Sequence, residues 1–107
     1  MKITLKTPFK KDGVIVTELT LNLDSLTGHD ILAAEAEARM RGETSPNPLF
    51  SSLGNAIIAA RACGYISDDI IGLSVQDFLM ITTLVSNFLY GWVLPSLMPL
   101  EISEQSS

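Results

Sequence analysis

His29 and Cys63 are the only histidine and the only cysteine in the chain, and they are the first residues to test for chemistry. A metal site needs several His, Cys or carboxylate ligands converging on one ion, and this pair is separated by a predicted helix and loop. His29 stands at a helix start beside Asp30, a position that suits a solvent-facing or cap-adjacent side chain better than a ligand or general base. Cys63 lies among Ala59, Ala60, Ala62 and Gly64, the surroundings of a small buried hydrophobe rather than a reactive thiol. Asp68 and Asp69 are adjacent acids, but they head a short helix, where the dipole already accounts for them. No Gly-x-Ser-x-Gly turn is present, and no glycine-rich string that would cradle a phosphate. The residues therefore offer no catalytic, cofactor-binding or metal-binding constellation. The expected activity is non-enzymatic: binding of another protein.

Composition narrows the partner. Twelve acidic against seven basic residues give a formal charge of −5, which repels a phosphate backbone, so nucleic acid is excluded as the expected partner. With 107 residues, 47% of them hydrophobic, the chain has the length and apolar content for one domain with a real core. A lone cysteine and the lack of a signal-like N-terminus point to a reducing cytoplasm.

The elements that would carry a binding surface follow in order. Residues 2–8 and 14–23 read as two strands around Lys10-Lys11-Asp12-Gly13, whose Asp-Gly pair supplies the positive φ of a tight hairpin turn. In the second strand Ile15, Leu19, Leu21 and Leu23 are expected on the apolar face, with Val16, Glu18, Thr20 and Asn22 on the wet one. A first helix, about 28–41, starts behind Thr27 with Asp30 as its capping partner and closes at Gly42. A second, about 48–63, opens on Asn47-Pro48 and ends at Gly64. A single turn follows Ser67-Asp68-Asp69, and Ser74-Val75-Gln76-Asp77 caps a third long helix, about 75–90. The fold class is α+β: an N-terminal β-hairpin packed on about three α-helices, predominantly helical. Residues 1–93 are expected to form the domain and 94–107 a flexible C-terminal tail.

The last helix carries the functional signal. Val75, Phe78, Leu79, Thr82, Val85, Leu89 and Trp92 follow the helical period, while Met80, Ile81, Leu84 and Phe88 make much of the other side apolar too. Such a helix is central, covered by a partner, or in lipid. A membrane span over residues 78–100 is the rival reading, since no ionised side chain interrupts it. Thr82, Thr83, Ser86, Asn87, Gly91 and Pro95, and the lack of a following Lys or Arg, argue against the span. Phe78, Phe88, Tyr90 and Trp92 together are an aromatic platform or part of the core. Leu84, Phe88, Trp92 and Leu94 fall on or beside the less committed flank, and they are the candidate partner-binding residues.

The order of an Ile-Thr-Leu-Lys-Thr-Pro strand, an Asp-Gly turn, a Thr-Glu-Leu-Thr-Leu strand and Leu-Thr-Gly-His-Asp-Ile-Leu entering a helix resembles the phage tail assembly chaperones. The likeness is to the short tail proteins of P2-like and Mu-like phages and prophages. It continues in Cys63-Gly64-Tyr65 and in Ile71-Gly72-Leu73-Ser74-Val75-Gln76-Asp77-Phe78, so that it covers nearly residues 2–90. One departure is Leu23-Asp24-Ser25-Leu26, where such proteins often carry Arg and Pro. The resemblance implies a chaperone in the bacterial host cytoplasm with no cofactor. Its implied partners are the tape measure protein and, beside it, the tail tube protein. The open edges of a two-stranded hairpin also favour self-association.

Overall fold

The computed structural model describes residues 1–97, with side chains described as far as Gly91. Its elements run β1 (Lys2–Lys11), β2 (Val14–Thr20), α1 (Gly28–Met40), α2 (Ser52–Cys63), α3 (Ser67–Ile71) and α4 (Val75–Leu97), with short 3₁₀ turns at Leu23–Ser25 and Pro48–Phe50. The α+β architecture expected from the sequence is the one found: an antiparallel hairpin against a mainly helical body.

Local chemistry explains most of the boundaries. Asp12 and Gly13 take φ of 51° and 81°, the left-handed pair a two-residue hairpin turn demands. The Asp30 carboxylate accepts the Thr27 backbone N–H at 2.9 Å, holding the start of α1. Gly64 ends α2 at φ 81°, its N–H donating to the Ala60 carbonyl at 2.9 Å.

Four boundaries differ from expectation: first, β1 runs on to Lys11 rather than ending at residue 8. The second strand stops at Thr20 rather than residue 23; Leu21 and Leu23 stay buried, but Leu23 opens a 3₁₀ turn, and the Asn22 N–H donates to Ala62 at the end of α2. Pro48 opens a 3₁₀ turn rather than the helix, and α2 proper begins at Ser52, with the Ser51 hydroxyl accepting the Gly54 N–H at 2.9 Å. Helix α4 continues to Leu97, past the expected end near 90. The remainder of the expected tail, 98–107, lies outside the described residues.

The centre of the molecule is α2. Every residue from Gly54 to Ala60 is buried, and α1, α3, α4 and the hairpin all pack around it. Its alanines permit that: Ala56, Ala59 and Ala60 let neighbouring helices approach closely, while Ile57 and Ile58 fill the gaps. Each fully buried isoleucine contributes about 1.5–3 kcal/mol of transfer free energy. Ile3, Leu5, Val16 and Leu19 seal the hairpin onto this core.

The hairpin is not a regular ladder. Ile3 pairs with Leu19 and Thr4 with Glu18, but the next pair is Phe9 with Val16, so Leu5 to Pro8 bulge opposite Thr17. This reverses the expected alternation at one end: Val16 is buried and Ile15 is 64% exposed, the opposite of what strict period-two reading gives. Pro8, which has no N–H to lend to a ladder, sits within the bulge.

Candidate partner-binding surface

The position of α4 is fixed at its first turn. Asp77, wholly buried, points its carboxylate into the β1 bulge, where Oδ1 accepts the Lys6 N–H at 2.8 Å and Oδ2 the Thr7 N–H at 3.0 Å. The Ser74 hydroxyl donates to Oδ2 at 3.0 Å while accepting the Asp77 N–H. Burial pushes the Asp77 pKa up, but the two strand amides and the Ser74 hydroxyl outweigh it and hold the carboxyl below its ordinary range. The Ser-x-x-Asp signal thus does two jobs: it caps α4, as the sequence implies, and it satisfies two backbone donors of a strand some seventy residues earlier.

Beyond that anchor α4 presents distinct faces. Asp77, Ile81, Thr82, Val85 and Leu89 are buried, flanked by half-buried Phe78, Leu84 and Phe88. Ile81 therefore belongs to the core side, whereas Val75 and Leu79, expected inward from the period, are 73% and 55% exposed. The inward stripe is set by the tie to β1 at Asp77 and is rotated from the one that apolar content alone suggests.

The candidate residues fall at the rim. Leu84 and Phe88 both pack on the core edge from the flank of α4. Phe88 also borders an open depression of about 300 Å³ whose other walls are Met1, Leu21, Leu23 and the turn Asn22–Ser25. The side chains of Trp92 and Leu94 lie outside the described residues, although both positions are within the helix. Of the aromatic platform, Phe78 packs on the core and Tyr90 leans on Phe50, ring centroids 5.0 Å apart.

A second depression, bounded by Glu37, Arg41, Arg61, Tyr65, Ser67 and Asp68, is polar but internally neutralised. Arg41 pairs with Glu37 at 2.8 Å and Asp68 at 3.1 Å, and Arg61 with Asp30 at 2.9 Å. Asp69 meets Lys11 at 2.9 Å, and that ammonium lowers its pKa. The adjacent acids are thus ion-pair partners that pin α3 to the hairpin and to α1. His29 is exposed at the start of α1. Cys63 is half-buried, and burial pushes its thiol pKa up, away from the thiolate a nucleophile needs. Among the described residues no group of His, Cys, Asp and Glu could hold a metal ion, and no helix is long and apolar enough to cross a membrane.

What remains is a small domain whose last helix keeps apolar side chains at its rim and on its surface. Comparison with curated proteins and with solved structures finds no match. Against family models, residues 2–90 match the one described as phage tail assembly chaperone proteins, E, or 41 or 14, which takes in the hairpin, every helix start and most of α4. The chain belongs to the phage tail assembly chaperone family.

Proposed function

We propose that this chaperone binds the tape measure protein in the host cytoplasm and keeps it competent for tail tube subunits to assemble around it, without catalysing a reaction. Family membership over residues 2–90 carries the reading, since it supplies the tail assembly role that the proposed partner would serve. The flank of α4 supports the docking mode. Leu84, Phe88 and Trp92 recur every four residues along one helix, with Leu94 two positions further on, and the depression beside Phe88 offers space for a side chain of an incoming amphipathic helix. The membrane-inserting alternative has no described helix to rest on.

The Leu84→Ser/Phe88→Ser double variant is expected to weaken capture of the purified tape measure protein by at least about tenfold, the loss of two apolar anchors. Both side chains are half-buried, so circular dichroism and melting are followed in parallel. Trp92→Ser, further along the helix, provides a second variant. Undiminished capture by both variants, with the fold intact, would place the binding surface elsewhere.

A further inference from the structure

The charges of the chain are unevenly placed. Residues 1–20 hold four lysines against two acids, while the rest of the chain holds three arginines against ten acids. Each arginine is engaged within the helical body: Arg41 with Glu37 and Asp68, Arg61 with Asp30, and Arg39 with the carbonyls of Glu43 and Ser45. Lys11 is held by Asp69. The cations left over stand on one face of the hairpin. Ile3, Leu5 and Phe9 pack inward, so Lys2, Lys6 and Lys10 fall on the opposite side of β1, all exposed. Lys6 and Lys10 make no ion pair among the described residues, and Lys2 has only a 3.9 Å contact with exposed Glu18. Lys6 acts on the buried Asp77 carboxylate only through space.

We infer that this hairpin face is a docking surface for an acidic segment of a partner protein. Charge sets the class of occupant. The face is two strands wide, about 10 Å. A chain segment of that width meets the lysines alone. A bilayer or a nucleic acid duplex also spreads over the surrounding surface, where acids outnumber cations. The uneven charge orients the approach too, because the hairpin leads toward an anionic partner and the helical body turns away from it. The face is held ready: Asp77 accepts the Lys6 and Thr7 amides at 2.8 and 3.0 Å, which fixes the middle of the lysine row to the first turn of α4.

The row continues the surface described above. Met1, next to Lys2, is a wall of the depression beside Phe88. A partner that sets an apolar side chain in the depression can therefore run acidic residues along the hairpin from Lys2 toward Lys10, over at most about 26 Å. In this respect the inference rests on the proposed docking mode, and it adds the chemistry of the bound segment: an apolar anchor with acidic residues beside it.

Amide NMR of the full chain, with poly-L-glutamate as the probe, tests the face by itself. Shifts are expected at Lys2, Lys6 and Lys10, fading as salt rises from about 0.05 M to about 0.5 M. Lys2→Glu/Lys10→Glu, which leaves Lys6 beside Asp77 untouched, is expected to weaken binding at least about tenfold with an unchanged circular dichroism spectrum. Shifts confined to other surfaces would overturn the inference, as would equal or tighter engagement of these lysines by duplex DNA or phosphatidylglycerol vesicles. Movement of the same signals in the free chain would also overturn it: on Glu101→Gln/Glu104→Gln it assigns the face to the chain's own tail, and on concentration to a second copy. The purified tape measure protein separates this inference from the docking reading. Capture weakened by Lys2→Glu/Lys10→Glu supports both. Capture unchanged by that variant but lost with Leu84→Ser/Phe88→Ser would overturn the inference alone. No capture by the native chain would overturn the reading alone and leave the poly-L-glutamate result to decide the inference.

Discussion

Replacing Asp77 by Ala is expected to lower the free energy of unfolding by about 3 kcal/mol, because two strand amides lose a charged acceptor and the first turn of α4 loses its anchor. Asp77→Asn keeps the volume and one acceptor oxygen but turns an NH₂ toward a donor, so a smaller loss of about 1–2 kcal/mol is expected. Ser74→Ala removes the cap yet leaves both strand bonds, and about 1 kcal/mol is expected. Urea unfolding of the three variants checks the order. The same carboxylate gives a pH signature. Its pKa is lowered in the folded chain, so its contribution is complete above the unfolded-state value of about 3.9 and is lost as pH falls through the lower folded value. The stability gap between the native chain and Asp77→Asn should stay flat above about pH 5 and narrow below about pH 4. A gap that persisted unchanged through the acid range would show that the charge on Asp77 is not what secures the strand.

The second large effect is expected at Gly54, where α2 passes under the Pro48–Phe50 turn. A Cβ there would overlap the Pro48 carbonyl oxygen and lie 2.7 Å from Leu49 Cα and 2.9 Å from Leu49 C. These are backbone atoms, so no side chain can rotate away and the turn itself must lift off the helix. Alanine normally favours a helix over glycine by up to about 1 kcal/mol, but here the overlap dominates and a net loss of about 2–3 kcal/mol is expected. Gly91 is the internal control. It is exposed on α4 with nothing within 4 Å of a built Cβ, so Gly91→Ala should raise stability by about 0.5–1 kcal/mol. Thermal melts of the two variants should move in opposite directions.

Features set by neighbouring residues were legible in the sequence. The Asp12-Gly13 turn, the Thr27–Asp30 pair, Gly64 as a left-handed stop and Ser74 as a cap all follow from side chains within a few positions of the backbone they serve. Features set by distant partners were not. Nothing within the strand shows that Lys6 and Thr7 will bond Asp77, and without that tie the bulge has no visible cause. Strict alternation then assigns Ile15 and Val16 to the wrong faces. The same tie rotates α4, which explains why Ile81 turned out buried and Val75 and Leu79 exposed. Nothing in the neighbouring sequence marks Gly54, because its constraint comes from the turn folding back over it.

The surface readings divide along the same line. Leu84 and Phe88 could be singled out because an excess of apolar residues along a helix is a local property. The lysine face of the hairpin could not, since which cations are neutralised depends on the rest of the fold. The ion pairs of Asp30, Asp68 and Asp69 equally required the assembled helices, and they add struts between elements to residues that the sequence marks only as helix-start acids.

The most direct test of the account is to mix the purified chain with the proposed partner, the tape measure protein of the same genome, and resolve the mixture by size-exclusion chromatography with light scattering. A complex containing both proteins, eluting ahead of either alone and lost with Leu84→Ser/Phe88→Ser, is the expected result. Separate elution of the folded chain and the intact tape measure protein at every mixing ratio would contradict it.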